Sequence, residues 1–365
     1  MSKVLVALIP APHAPVEVRE VAEPELERDS ALLEVELSEV CGTDVHLQQG
    51  RLAGVPYPLV PGHVSVGRLG KIRGRMSDVH GRPFAEGDRV TFLDVHNTCH
   101  TCWQCLVAKS TTRCPARKVY GITYGLADGL SGGWAQKIYL KPGTRVLRLG
   151  GADAATFMAG GCALPTALHA VERAGVEIGD TVVVLGSGPV GLSAVILALM
   201  RGALRVLCVG APAARLETAR AVGASATLDI ETHDEERRAG WVLEQTGGRG
   251  ADVTIEATGA PVAVAQAMRY MRDGGRVCVV GQYTDHGEVS FNPHLDLNRK
   301  HLDVRGCWGS DFSHFYRGAE LMADAARSRP WSLLRLERYG LARANDALAD
   351  VASGRVVKAL IDPHI

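Results

Sequence analysis

The sequence lacks a net charge of either sign. Its 365 residues include 40 Lys and Arg against 40 Asp and Glu, so the formal charge is zero when the histidines are neutral. Nucleic-acid-binding domains usually carry clustered positive charge and a high isoelectric point. The charge balance therefore argues against a nucleic-acid partner.

A long hydrophobic run is also lacking. The longest apolar stretch, around residues 190–200, is well short of the roughly 20 residues that cross a bilayer. The first ten residues contain one lysine and a brief apolar segment, which is a poor match to a secretory signal. With 46% hydrophobic and 22% charged residues, the composition is typical of a globular protein. We expect a cytoplasmic protein that has no membrane partner.

The nine cysteines do not suit a secreted disulfide framework, which needs an even number of cysteines and a secretion signal. Four of them lie within 16 residues, at Cys99, Cys102, Cys105 and Cys114. Four thiolates at this spacing can close a tetrahedral Zn²⁺ site, and all-cysteine sites are structural. We predict a structural zinc in a lobe at about residues 95–116. The alternative is a redox dithiol pair or unengaged thiols.

Two patterns divide the chain. Residues 1–150 contain short strands separated by Gly and Pro turns, which indicates a mostly β region. From about residue 151, apolar strands alternate with helical patterns, beginning with the strand 181–185 and the helix 192–202. This alternation predicts an α/β fold with a doubly wound parallel sheet. The tail from about residue 304 returns to a mixed pattern.

A glycine-rich turn follows the first apolar strand of this region. Its residues match G-x-G-x-x-G and are Gly186, Ser187, Gly188, Pro189, Val190 and Gly191. The position between a strand and a helix is the setting that dinucleotide binding requires. The three glycines would allow the tight turn, the approach of a pyrophosphate and close packing of helix on strand, and the helix N-terminus would offer free N–H groups. The alternative is an ordinary tight turn.

The end of the second strand of this region bears on the choice of coenzyme. NAD-binding proteins usually place a carboxylate about 20 residues after the glycines, on the ribose 2′-OH. Here the chain has Gly210 and no carboxylate, and Arg215 follows closely enough to pair with a 2′-phosphate. The pattern favours NADP over NAD. The alternative is that NAD binds without the carboxylate and that Arg215 is a helix-surface residue.

Three further residues are of metal-ligating types but lie far apart. They are Cys41 in the segment CGTDVH, His63 in PGHVSVG and Cys162 in GGCALPT. Spacing alone does not join them, and each on its own fits a core residue equally well.

With these motifs in this order, the chain resembles the zinc-dependent alcohol dehydrogenases of the medium-chain dehydrogenase/reductase superfamily over essentially its whole length. The resemblance implies a mostly β, GroES-like catalytic domain at 1–163 and 304–365 and a Rossmann coenzyme-binding domain at 164–303. It also implies hydride transfer between NAD(P) and an alcohol, which we expect to be secondary or cyclic, and a homodimer or homotetramer.

The same resemblance implies the roles of the residues around the metal. Cys41, His63 and Cys162 would hold a catalytic zinc, the second zinc of the chain. Thr43 would contact the substrate oxygen, and His46 would pass its proton to solvent.

Other roles follow in the same way. Asp44 would orient His63, Thr166 would pack against the nicotinamide, and Lys358 would contact the pyrophosphate. One position departs from the family, which usually has Glu behind the metal where this chain has Val64. Losing that carboxylate would make the zinc more electrophilic or weaken its retention. The last two cysteines of the lobe are also separated by eight residues, where seven are common.

Two alternatives remain open at this point. One is a zinc-free reductase of the same superfamily that acts on enones or quinones. The other is a non-catalytic binding or structural protein that keeps the fold and the structural zinc. Two zinc ions per chain would favour the dehydrogenase over both.

Overall fold

The computed structural model describes residues 2–365 and divides into two compact units. Unit 1 contains residues 2–162, Asp311–Ser328 and Arg335–Ile365, and unit 2 contains Ala163–Ser310 and Arg329–Leu334. The first division lies one residue from the predicted boundary. The predicted return to the first domain at residue 304 is wrong, because a strand at Asp303–Gly306 completes the sheet of unit 2.

The first part of unit 1 is rich in strands. These are β1 (Lys3–Leu8), β2 (Glu17–Ala22), β3 (Ser30–Val40), β4 (Ser65–Arg73), β5 (Arg89–Phe92), β6 (Val95–His96), β7 (Lys118–Val119), β8 (Lys137–Leu140) and β9 (Val146–Arg148). Its helices are α1 (Gly42–Gln48), α2 (Trp103–Leu106) and α3 (Ala154–Gly160).

Unit 2 alternates helices and strands. Its helices are α4 (Ala163–Ala174), α5 (Pro189–Met200), α6 (Ala213–Ala221), α7 (Glu235–Gln245) and α8 (Pro261–Arg269). Its strands are β10 (Thr181–Leu185), β11 (Arg205–Gly210), β12 (Ala226–Asp229), β13 (Ala251–Glu256), β14 (Met271–Val279) and β15 (Asp303–Gly306).

The C-terminal part of the chain returns to unit 1. It forms α9 (Phe312–Ala323), α10 (Ala325–Ser328), β16 (Leu336–Tyr339), α11 (Ala344–Ala352) and β17 (Lys358–Ile361).

The main sheet of unit 1 is built around the long strand β3. Its order is β16-β17-β3-β4-β5-β9, and β8 also pairs with β3. Strand β17 runs antiparallel to β3, with Ala359 opposite Val40 and Leu360 opposite Glu39. The sheet therefore brings the end of the chain beside the residue pair that precedes Cys41.

The sheet of unit 2 is wholly parallel, with strand order β12-β11-β10-β13-β14-β15. This is the 3-2-1-4-5-6 order of the Rossmann fold, in which ligands bind where the order reverses, at the carboxyl ends of the strands. Four of the five residues of β10 are buried and three are valines, as expected for a strand covered on both faces. The prediction of a doubly wound sheet is confirmed, and the glycine-rich turn leaves β10 at the reversal point.

One helical stretch, Ala154–Ala174, is long and apolar enough to cross a membrane by length and composition alone. It is longer than the apolar run at 190–200 that was expected to be the longest. Because 72% of its apolar window is buried inside the protein, we interpret it as core helix, formed by α3 and α4.

Candidate active site

Cys41 lies at the junction between β3 and α1 and serves as the N-cap of the helix. Its sulfur accepts a hydrogen bond from the N–H of Thr43 (3.3 Å). In return, Oδ2 of Asp44 accepts the N–H of Cys41 (2.8 Å). This reciprocal arrangement is a capping box, which fixes the chain at a helix start by satisfying two of its free N–H groups. The position of the Cys41 sulfur is thus set by the helix end.

The structure brings together the three residues that sequence spacing could not join. The Sγ atoms of Cys41 and Cys162 and a ring nitrogen of His63 all lie within 4.8 Å of one another. Cys162 enters this cluster directly after α3, through Gly161 in a left-handed conformation (φ +49°). Two sulfurs and one imidazole nitrogen are donors that zinc prefers, and three protein ligands leave a fourth position for a small molecule. We call these residues the three-ligand cluster.

The electrostatics of the cluster favour a cation. Burial acts to lower the pKa of the His63 imidazole, but the Cys162 sulfur and the carboxylates of Asp44 and Asp94 outweigh it and raise that pKa to about 10. A hydrogen bond between the two sulfurs lowers the pKa of Cys162 to about 7 and raises that of Cys41. A site that stabilises positive charge on an imidazole is also suited to a divalent metal ion, so the residues present fit zinc.

Asp44, which was predicted to orient His63, makes its hydrogen bonds to backbone N–H groups. Its Oδ2 atom accepts the N–H of Cys41, and its Oδ1 atom accepts the N–H of Gly62 (3.3 Å). The Nδ1 atom of His63 is buried and has no hydrogen-bond partner. The structure therefore shows no hydrogen bond from Asp44 to Nδ1 of His63. Asp44 instead fixes the backbone at Cys41 and beside His63.

The two residues predicted to move a proton lie on α1. Thr43 is in its first turn, and His46 is three residues further on. Residues three apart lie on the same face of a helix. The structure thus places the two side chains on one face of the helix that Cys41 caps.

Lys358 has a partner other than the predicted one. Its side chain exposes 1% of its surface, and its ammonium pairs with a carboxylate oxygen of Glu39, which is equally buried. The Nζ atom also donates to the carbonyl of Gly160 (3.3 Å). A pyrophosphate would have to reach an atom enclosed by protein, so the predicted contact with Lys358 is wrong. The ion pair lies instead beside the chain segment that leads to Cys162.

The four cysteines of the lobe form a second cluster. Their sulfurs all lie within 4.8 Å of one another, with 3.5 Å between those of Cys99 and Cys114. The N–H of Cys99 donates to the Cys114 sulfur (3.3 Å), and Thr101 lowers the pKa of Cys99 to about 5 through hydrogen bonds to its sulfur. Four converging sulfurs fit a closed tetrahedral zinc site.

The lobe has little apolar packing of its own. Its helix α2 has four residues and none of them is buried, and Trp103 exposes 64% of its surface. Hydrogen bonds to Asp311 also hold the lobe, since its Oδ1 atom accepts the hydroxyl of Thr111 (2.9 Å) and the N–H of Thr112 (3.2 Å). A metal ion would therefore supply local folding free energy that side-chain burial does not.

The glycine-rich turn has the geometry of a dinucleotide cradle. Gly186 has φ +107°, and its N–H donates to the carbonyl of Val209 (2.8 Å). A Cβ atom on Gly191 would lie 1.9 Å from the carbonyl oxygen of Gly186, so this position must be glycine. A Cβ on Gly188 would meet nothing within 4 Å, which leaves room beside the N-terminus of α5 for a phosphate. Pro189 and Val190 form the first turn of α5, and Pro189 has no N–H to leave unpaired.

The coenzyme-selecting position is constrained by packing as well. A Cβ atom on Gly210 would lie 2.7 Å from Oγ and 2.9 Å from N of Ser187. Any side chain there would disturb the glycine-rich turn. Arg215 lies in the first turn of α6 and is half-buried, while Thr166 lies in the first turn of α4. Both positions belong to unit 2, as the coenzyme assignment needs.

Sequence reasoning missed Glu39. It occupies a buried position near the end of β3, where neighbouring residues are apolar or small. An acidic residue in a run that is otherwise buried is itself a signal, because a buried charge needs a partner. The partner, Lys358, is 319 residues away and could not be identified from spacing.

Two family models match the chain, and similar proteins share most of its length. The model described as alcohol dehydrogenase GroES-like domain matches residues 27–150, and the one described as zinc-binding dehydrogenase matches residues 189–324. The 5-exo-hydroxycamphor dehydrogenase of Pseudomonas putida is 33% identical over 335 residues, which cover 91% of each chain.

Solved structures agree with these matches. An alcohol dehydrogenase from Thermotoga maritima is 31% identical, superimposes with a TM-score of 0.92 and covers 99% of this chain and 100% of its own. A zinc-binding dehydrogenase from Sinorhizobium meliloti 1021, solved with NADP bound, is 28% identical with a TM-score of 0.83 and full coverage of both chains.

Proposed function

The chain belongs to the zinc-binding alcohol dehydrogenase family with a GroES-like domain, and from that premise we propose that it holds two zinc ions and uses NADP to interconvert a secondary or cyclic alcohol and its carbonyl compound. Membership makes it an oxidoreductase that acts on the CH–OH group of small-molecule alcohols with NAD(P). The observation that carries the proposal is the convergence of Cys41, His63 and Cys162 within 4.8 Å.

The proposed roles follow from the donor atoms. Cys41, His63 and Cys162 hold the catalytic zinc, which when bound supplies a Lewis acid for the alcohol or carbonyl oxygen. Thr43 accepts the alcohol proton at its hydroxyl oxygen, and His46 passes it on to solvent. The nicotinamide coenzyme carries the hydride. The four sulfurs of Cys99, Cys102, Cys105 and Cys114 hold the second, structural zinc.

The preference for NADP rests on unit 2. The end of β11 offers no carboxylate to repel a 2′-phosphate, and Arg215 follows at the start of α6. The solved relative from Sinorhizobium meliloti carries NADP. Gly186, Gly188 and Gly191, with the first turn of α5, hold the pyrophosphate, and Thr166 packs against the nicotinamide.

The substrate class rests on a relative. The Pseudomonas putida protein is named for a hydroxyl group on the camphor skeleton, so we propose cyclic secondary alcohols as the first compounds to test. A panel of cyclic, linear secondary and polyol substrates, followed by absorbance of the reduced nicotinamide, gives the test. We expect the highest kcat/KM for a cyclic secondary alcohol with NADP. Turnover of enones with no turnover of any alcohol or ketone would favour the zinc-free reductase instead.

The metal assignment is tested by a single ligand change. Cys41→Ser removes a sulfur but keeps an oxygen that caps helices well, so the fold and the structural zinc should stay. We expect zinc content to fall from two ions per chain to one and turnover to drop by about 1000-fold or more, since a metal contributes several kcal/mol to the transition state. Cys278→Ser, which removes a buried sulfur outside both clusters, is the matched control. Unchanged turnover in Cys41→Ser would contradict the catalytic zinc.

The cellular setting is also a proposal. All nine cysteines lie in the described part of the chain and none of them forms a disulfide there, which suits a reducing, cytoplasmic compartment. We propose a homodimer or homotetramer on the strength of the resemblance alone, and light scattering of the purified protein measures its mass.

A further inference from the structure

The ion pair of Glu39 and Lys358 is enclosed beside the three-ligand cluster. Each side chain exposes 1% of its surface. Besides its ion pair with Lys358, the Glu39 carboxylate accepts the N–H of Cys162 at its Oε2 atom (2.7 Å). Burying two charges is costly unless they are paired and further hydrogen-bonded. This pair meets both conditions, and one of its hydrogen bonds ends on a residue of the cluster.

Glycine at position 161 leaves the space that the hydrogen bond between the Cys162 N–H and Glu39 needs. A Cβ atom at this position would lie 2.1 Å from Oε2 of Glu39 and 2.5 Å from Nζ of Lys358. Because position 161 has no side chain, the Glu39 carboxylate can approach the N–H of Cys162. The Glu39 carboxylate holds the backbone from which the Cys162 sulfur projects.

The register of the sheet relates Glu39 to Val64. Strands β3 and β4 are antiparallel with Ser38 opposite Ser65, and the N–H of Glu39 donates to the carbonyl of Val64 (3.0 Å), which continues that register by one residue. Residues directly opposite each other on antiparallel strands project to the same face. Position 39 and position 64 therefore face the same side of the sheet, and only position 39 carries a carboxylate.

We propose that Glu39, held by Lys358, is a positioning residue that places beside the three-ligand cluster, from β3, a carboxylate that Val64 does not supply from β4. This inference rests on the proposed catalytic zinc. Glu39 orients Cys162 through its N–H group and offsets the charge of the buried Lys358 ammonium. Without the carboxylate, an uncompensated cation would lie beside the zinc ligands and weaken metal retention.

The test compares zinc retention in Glu39→Gln, Glu39→Gln with Val64→Glu, and the control Glu34→Gln, whose side chain is exposed on the same strand. Release of each zinc to a chelator is measured, with the lobe zinc as internal reference. Removing a partner that orients a metal ligand typically costs about 10- to 100-fold in metal affinity. In Glu39→Gln we expect the affinity for one of the two zinc ions to fall by this factor. Adding Val64→Glu should restore the affinity, and Glu34→Gln should release zinc at the wild-type rate.

A second readout is spectroscopic. Co²⁺ bound in the three-ligand cluster would give a thiolate charge-transfer band to which the Cys41 and Cys162 sulfurs both contribute, and we expect Glu39→Gln to shift this band while Glu34→Gln does not. Wild-type zinc release and an unchanged band in Glu39→Gln would overturn the proposal. Loss of zinc without recovery in the double variant would overturn the claim that a carboxylate on this face is what matters.

A variant that lacks both charges of the ion pair tests the proposal independently of the folding of Glu39→Gln. If Glu39→Gln fails to fold because Lys358 is left unpaired, the apolar pair Glu39→Leu with Lys358→Met removes both charges. We expect this variant to fold, keep the lobe zinc and lose the other zinc faster, and wild-type retention would overturn the proposal. A wild-type protein with only the lobe zinc would instead defeat the proposed function, which is a different result.

Discussion

The sulfur of Cys41 caps the helix that carries Asp44, and the carboxylate of Asp44 accepts the N–H of Cys41 in return. A metal-ligand candidate is thus part of the local structure that starts α1. Asp44 also accepts the N–H of Gly62, the residue before His63. One buried carboxylate therefore ties together the backbone at two of the three cluster residues.

Replacing Asp44 should affect both stability and metal binding. Asp44→Ala leaves two N–H groups without acceptors, which should cost about 2–3 kcal/mol of unfolding free energy and speed the release of one zinc. Urea unfolding and chelator kinetics measure the two effects. Asp234→Ala is the matched control, since Asp234 caps α7 through the N–H of Arg237 (2.8 Å) far from any metal ligand in the sequence. Equal zinc release in both variants would contradict the role given to Asp44.

The lobe should depend on its metal for order. Cys102→Ser removes one of four sulfurs. Because α2 buries none of its residues, the hydrogen bonds of Thr111 and Thr112 to Asp311 are then the main contacts left to hold the segment. We expect loss of one zinc and a melting temperature lower by about 5 °C or more, which corresponds to roughly 2 kcal/mol for a domain of this size. Calorimetry with zinc analysis gives both numbers. An unchanged melting temperature after loss of the zinc would show that the lobe is held by other contacts.

Substitutions at two glycines of the turn should affect different properties, one the stability of the protein and the other its affinity for the coenzyme. Gly191→Ala places a Cβ 1.9 Å from a backbone oxygen, so it should destabilise the protein by about 1–3 kcal/mol. Gly188→Ala meets no protein atom within 4 Å, so its melting temperature should stay near wild type while coenzyme affinity falls. Thermal unfolding and coenzyme titration separate the two. Full coenzyme affinity in Gly188→Ala would place the phosphates elsewhere.

Arg215 should set the coenzyme preference. A charge-assisted hydrogen bond to a 2′-phosphate contributes about 1.5–3 kcal/mol, so Arg215→Ala should raise KM for NADP by about 10- to 100-fold and leave KM for NAD nearly unchanged. Arg220→Ala, at the exposed end of the same helix, is the control. A wild-type protein that prefers NAD would defeat this prediction before any mutation. A carboxylate at Gly210 is a poor alternative test, because its Cβ would clash with Ser187.

The fold of unit 2 could be predicted well because its signals are local. The strand 181–185 was predicted with its observed limits, and the helix after the turn begins at Pro189 rather than 192 because proline fits the first helical position. Strand β15 was missed, since it is short and exposed along most of its length. The domain boundary at 304 failed for that reason.

The candidate site was only partly accessible to sequence reasoning. The four cysteines of the lobe lie within 16 residues, so their spacing alone predicted a cluster. Cys41, His63 and Cys162 needed the resemblance, because the sheet and α3 bring them together from distant segments. The partners of Asp44 and Lys358 are set by hydrogen bonds that no spacing reveals. The pyrophosphate contact predicted for Lys358 was therefore wrong, while the role of Asp44 in orienting His63 stays a prediction.

The most direct test of the account is anomalous diffraction from crystals of the protein at the zinc absorption edge. We predict two peaks per chain, one among the four sulfurs of the lobe and one bonded to Cys41, His63 and Cys162. A single peak in the lobe, with the three-ligand cluster free of zinc in protein that still turns over alcohols, would contradict it.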